Sequence, residues 1–194
     1  LDVAARLDVS VAASMLVGSL TNWIVVGVLL LLVVYWEDRS LDSIGLQLPG
    51  WRAAFAGVGA GLVAVALGLV LTGVAVITFG LDQPETLSVI AQLSLPVKLA
   101  LVGTAIVTEE VLWRGYPIER LTELSGRLWV GAIVSFVVFL LVHFPAWGVV
   151  GAIPQAVFTL ILVGVYVWRR NVVVSMLTHG VINVFMVLVL PVYL

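Results

Sequence analysis

Residues 128–168 run for 41 positions without an Asp, Glu, Lys or Arg. As one straight α-helix the stretch would be about 60 Å long, roughly twice the hydrocarbon thickness of a bilayer. A soluble fold has no interior for such a segment, and a single membrane crossing is too short for it. The run must cross, fold back and cross again. The turn is expected within residues 145–154, which hold Pro145, Gly148, Gly151 and Pro154. Composition agrees: the chain is 62% hydrophobic and 10% charged, with a mean hydropathy of +1.23. Soluble domains are about 45–50% apolar and about 25% charged. A net charge of −2 gives no footing for a nucleic-acid partner. The absence of cysteine removes disulfides, thiolate zinc sites and a cysteine nucleophile.

Other long apolar runs cover residues 9–36, 53–81, about 96–116 and 171–194. The first is too long for a signal-peptide core and lacks a cleavage site, so it reads as a span. Leu1 is not a Met, and preceding sequence is expected. A short interfacial helix is expected over residues 86–95. The predicted fold is an all-α polytopic transmembrane helix bundle of about six spans, forming one domain over residues 1–194 with its motif-bearing core at about 98–190. Trp23, Trp36, Trp51, Trp129 and Trp168 fall near expected span ends, as an interfacial aromatic belt requires. Gly57, Gly59 and Gly61 suggest a close helix contact. With six spans, Arg39, Arg52, Arg120, Arg127, Arg169 and Arg170 share one side and Arg6 and Lys98 the other. The positive-inside bias puts the first side in the cytoplasm.

Several residues do not belong in lipid. Glu109, Glu110 and Arg114 lie well inside the third apolar run. Each charge at mid-membrane costs about 2.5–3.5 kcal/mol even on insertion scales. Glu110 and Arg114 are spaced to pair on one helix face, whereas Glu109 projects about 100° away with no local partner. His143, four residues after Phe139, and His179, four before Asn183, are the only histidines, and both fall in spans. Counting along the helices places Glu109, His143, His179 and Asn183 about 12–22 Å deep. They could converge on one cavity, which is expected to open toward the cytoplasm. A structural ion pair and core-satisfied histidines are the plain alternative, but ionisable groups in spans usually mark a working site.

A carboxylate and an imidazole can activate a water. A second imidazole and an amide can hold an oxyanion. Those are the parts for peptide hydrolysis without a covalent intermediate. A divalent metal such as zinc on Glu109, His143 and His179 is an open alternative, although no His-Glu-x-x-His is present. No Gly-x-Ser-x-Gly appears, and no serine is obviously paired with either histidine. The same groups could form the proton relay of a transporter.

The ordered set Glu109-Glu110-x-x-x-Arg114, Phe139-x-x-x-His143 and His179-x-x-x-Asn183 resembles the CPBP (ABI) intramembrane proteases, which include CAAX prenyl endopeptidases and bacteriocin-processing proteins. The resemblance implies that Glu109 and His143 activate the hydrolytic water and that His179 and Asn183 stabilise the oxyanion. Glu110, Arg114 and Phe139 would support the site. It implies a membrane-associated peptide or protein substrate, prenylated CAAX-type or bacteriocin-type, and lipid as the other partner. The expected location is the plasma membrane. Family members are described in both metal-dependent and glutamate-dependent terms. A non-catalytic scaffold or immunity protein of the same fold is the other reading.

Overall fold

The computed structural model describes residues 11–82 and 84–190. Arg6, Gln83, the first two residues of the opening span and the last four of the closing one lie outside the described residues. Helix α1 (Val11–Leu31) runs into a π-helical turn, Leu32–Trp36, and a 3-10 turn follows at Leu41–Ile44. Then come α2 (Trp51–Phe79), the short α3 (Glu85–Gln92) and α4 (Leu95–Glu110). A second π-helical turn, Val111–Gly115, leads into α5 (Tyr116–Ser125). The chain closes with α6 (Leu128–Arg169), α7 (Val172–Asn183) and a third π-helical turn, Val184–Val189. No β-strand occurs among the described residues.

Four helical stretches are long and apolar enough to cross a membrane: Val11–Trp36, Trp51–Phe79, Leu128–Arg169 and Val172–Val189. The protein is an all-α membrane helix bundle. Helix α4 carries its charges between these stretches. It does not stop near Tyr116 as expected, but continues as helix through α5 until Gly126 takes φ 67°.

The long run α6 does fold back. Gly148 adopts φ 60° and ψ −165°, a conformation that L side chains rarely tolerate. The break is this glycine; Pro145 and Pro154 lie in the flanking helical limbs, residues 128–147 and 149–169. Leu128, Ala132 and Phe136 from the first limb pack on the same buried cluster as Val163, Tyr166 and Val167 from the second. Ends of a straight helix of this length would lie about 60 Å apart.

Small residues bring the helices close. A Cβ on Gly57 would sit 2.8 Å from the Val174 carbonyl oxygen, and one on Gly61 2.8 Å from that of Thr178. Gly59 faces open space, so only two of the three glycines make the contact expected of them. Gly131 lies against the Ile118 backbone, where a Cβ would come within 2.6 Å of the carbonyl oxygen.

The arginine-rich end of the bundle is sealed by polar bonds. Val172 N–H donates to the Gly45 carbonyl at 2.8 Å, tying the first loop to the α6–α7 turn. Tyr166 Oη donates to Glu119 at 2.7 Å, and Glu119 also pairs with Arg170. Asn171 caps α7 by accepting from Val174 N–H at 3.0 Å. Arg120 joins Glu37 through Nε at 2.9 Å and reaches Ser43 Oγ at 3.1 Å. That bond from Arg120 holds the Glu37 carboxyl below the usual carboxylate range, and the Tyr116 hydroxyl adds to the effect.

Candidate active site

The two adjacent glutamates meet different surroundings. Glu110 is fully buried, and its Oε1 accepts from Arg114 Nη1 at 3.1 Å. Arg114 is equally buried and lies over the Phe139 ring at 4.1 Å. A carboxylate and an aromatic face together offset the cost of the desolvated guanidinium. Glu110 Oε1 also lies 2.8 Å from His179 Nδ1. A carboxylate accepts here, so Nδ1 carries the hydrogen and the far nitrogen, Nε2, is left for other work.

Glu109 is 19% exposed at its side chain and faces His143, which is 23% exposed. Their nearest atoms, Glu109 Oε2 and His143 Nε2, are 3.9 Å apart. That is beyond hydrogen-bond reach, and within reach of one shared water. His143 Nδ1 lies 2.8 Å from the Phe139 carbonyl oxygen, which can only accept. The hydrogen is therefore on Nδ1, and His143 presents Nε2 toward Glu109. Phe139 also stacks on the His143 ring at 4.1 Å and packs edge-on against Trp113 at 5.7 Å. One phenylalanine thus supports both Arg114 and His143.

Glu109, His143, His179 and Asn183 line a single cavity of about 370 Å³, with Phe139 in its wall. The four residues singled out from sequence are brought together. Glu110 and Arg114 sit behind His179, in the packed interior. Sequence reasoning missed the hydroxyl residues Ser19, Thr86 and Thr104 of the lining and two longer polar side chains, Asn22 and Gln155. Both are carboxamides inside uncharged apolar runs, the same anomaly that exposed the other groups. It also placed Trp23 at a span end, whereas its Nε1–H donates to Thr104 Oγ1 within the bundle at 3.0 Å.

The cavity extends from Glu109 toward Met15, Thr86, Ile90 and Trp147, at the start of α1, on α3 and beside the α6 bend. That is the end opposite the arginine cluster. The lining therefore reaches the end of the bundle away from the arginines. The arginine-rich end is filled by the contacts of Ile118, Gly131, Tyr166 and Gly45.

Among the described residues, no three His, Asp or Glu side chains are grouped so as to hold a metal ion. Glu109 and His143 approach each other, while His179 turns Nδ1 to Glu110.

Comparison with curated proteins and with solved structures returns no significant match. Residues 91–185 match the family model described as Rce1-like, type II CAAX prenyl endopeptidase. The matched segment contains all three polar motifs and the helices that place them. Residues 91–185, just under half of the chain, thus match the CAAX prenyl endopeptidase family.

Proposed function

We propose that this protein is an intramembrane endopeptidase whose hydrolytic water is held between Glu109 and His143. The observation that carries the reading is the 3.9 Å separation of Glu109 Oε2 and His143 Nε2 at the wall of a cavity shared with His179 and Asn183. With His143 as the neutral Nδ1–H tautomer, both facing atoms act as acceptors. A water between them donates one hydrogen to each and keeps a lone pair free for a peptide carbonyl. Glu109 takes the proton as the water oxygen bonds to the carbonyl carbon. The Asn183 amide N–H and His179 face the developing oxyanion. Because His179 already gives Nδ1–H to Glu110, it donates to the oxyanion only as the imidazolium. When the tetrahedral intermediate collapses, the carbon–nitrogen bond breaks and the Glu109 proton passes to the leaving amine. The products are a carboxylate and a free amino terminus. Exposure supports these roles for the glutamates: Glu109 is accessible from the cavity and Glu110 is sealed.

The substrate class is a membrane-associated peptide, with a prenylated C-a-a-X terminus as the first candidate from the family match. The arginine bias keeps the sealed end in the cytoplasm, so the cavity opens toward the other side of the membrane. Purified protein in nanodiscs, incubated with farnesylated and unmodified C-a-a-X peptides, tests the reading by mass spectrometry of the products. Cleavage by the wild type and none by Glu109→Ala is expected. Equal cleavage by both would remove Glu109 from the chemistry.

A further inference from the structure

The chain has seven carboxamide side chains, and three of them, Asn22, Gln155 and Asn183, lie within helices long enough to span a membrane. All three line the same cavity, and each comes from a different helix: α1, the second limb of α6, and α7. No side-chain hydrogen bond is made by any of the three among the described residues. Two of the three hydroxyl side chains in the lining are occupied. The Thr86 hydroxyl donates to the Ala146 carbonyl at 2.5 Å, and Thr104 accepts from Trp23. Outside these spanning helices, the Asn171 amide is used twice, accepting from Val174 N–H and donating to the Gln47 carbonyl. Each of the three is half-buried; carboxamides in the apolar spans of a bundle normally find partners, because an unpaired amide in apolar surroundings costs free energy. Three unpaired ones converging on one cavity therefore indicate a ligand with amide-like hydrogen bonding.

Peptide backbone has that chemistry. Each residue offers one N–H and one C=O, and a carboxamide offers a matching donor and acceptor. A substrate segment must leave helical form to present its scissile bond. In a water-poor site its freed backbone groups then need protein partners. Asn183 is taken by the oxyanion in the mechanism above. We propose that Asn22 and Gln155 bind the unwound substrate backbone beside the scissile bond, an inference that rests on the protease reading. They are binding residues: their bonds form with bound substrate and are kept through the reaction, so they set KM more than kcat.

The test uses full-length protein in nanodiscs and a farnesylated C-a-a-X peptide. A matched peptide series carries N-methyl groups that replace one backbone N–H at a time. Gln155→Leu and Asn22→Leu keep side-chain size and remove hydrogen bonding. Each should raise KM about threefold to tenfold, the range of one or two net hydrogen bonds, with kcat within about twofold. Gln155→Asn and Asn22→Gln should recover part of the loss. The diagnostic is coupling. An N-methyl position that raises KM in the wild type should have no further effect in the leucine variant that lost its partner. Unchanged KM in both leucine variants, or N-methyl effects that add in full, would overturn the assignment. If a leucine variant unfolds, the same coupling is read on the Asn and Gln swaps. No cleavage of any peptide by the wild type defeats the protease reading, and this inference with it. Normal wild-type cleavage with unaffected variants defeats the inference alone.

Discussion

His179 Nδ1 and Glu110 Oε1 meet at 2.8 Å, although 69 positions separate them in the chain. The same carboxylate oxygen receives Arg114 from its own helix. One buried glutamate thus fixes the ring of a cavity residue and neutralises a desolvated cation. Its neighbour Glu109 is left facing the reaction space.

This division of labour separates two variants that sequence proximity would treat alike. Glu110→Ala leaves Arg114 buried without its carboxylate, a loss of about 3–5 kcal/mol for a broken buried pair. Its thermal unfolding temperature in detergent should fall sharply, and activity should fall with it. Glu109→Gln should unfold at the wild-type temperature within a few degrees. Equal stability of both variants would contradict the assigned roles.

The glycine contacts predict a pattern along one helix. Alanine at Gly61 would place its Cβ 2.8 Å from the Thr178 carbonyl oxygen and 2.7 Å from Val181 Cβ. Gly61→Ala should therefore destabilise the bundle, since neither backbone can yield cheaply. Gly59→Ala meets nothing within 4 Å and should be neutral or stabilising by up to about 1 kcal/mol from helix propensity. Thermal unfolding of the two variants side by side checks the pattern.

Glu37 supplies a pH dependence of stability. Arg120 lowers its pKa from an ordinary value of 4.5, so the folded state binds its proton less readily than the unfolded state. Its contribution is fully present above that value and is lost as pH falls through the lower folded pKa. The unfolding-temperature gap between wild type and Glu37→Gln should be constant from about pH 7 to pH 6 and should narrow below about pH 4.5. A gap that widens with acid would reverse the sign of the argument.

The lack of native cysteine makes the membrane orientation measurable. Leu124 is 84% exposed at the arginine-rich end, and Asp82 is exposed at the cavity end. In intact cells a membrane-impermeant maleimide should label Asp82→Cys and spare Leu124→Cys. Labelling of both positions from one side would contradict the helix arrangement, and the inverse pattern would put the cavity mouth in the cytoplasm.

Much of this was legible in the sequence because lipid penalises polar groups so heavily. Glu109, Glu110, Arg114, His143, His179 and Asn183 stood out as exceptions in apolar runs, and the Glu110–Arg114 pair followed from helix spacing. The doubling of α6 followed from length alone. The grip of Glu110 on His179 did not, because spacing within one helix carries no information about a helix 69 residues away. Nor did the end of the bundle that the cavity lining reaches. It depends on which end the glycine contacts close, and Gly57, Gly61 and Gly131 look alike in sequence to Gly59, which packs on nothing. Asn22 and Gln155 were readable by the same rule as the histidines, but without a charge or a motif they drew no attention.

The central claim is that Glu109 and His143 act on one water. A double-mutant cycle on cleavage of a farnesylated C-a-a-X peptide tests it most directly. Glu109→Gln and His143→Ala should each lower kcat by roughly 10²-fold or more, as loss of a general base does. The double variant should be no slower than the worse single one within about threefold, because groups that serve one event fail together. Losses that multiply, or a Glu109→Gln enzyme within tenfold of the wild type, would show that the two residues do not share the reacting water.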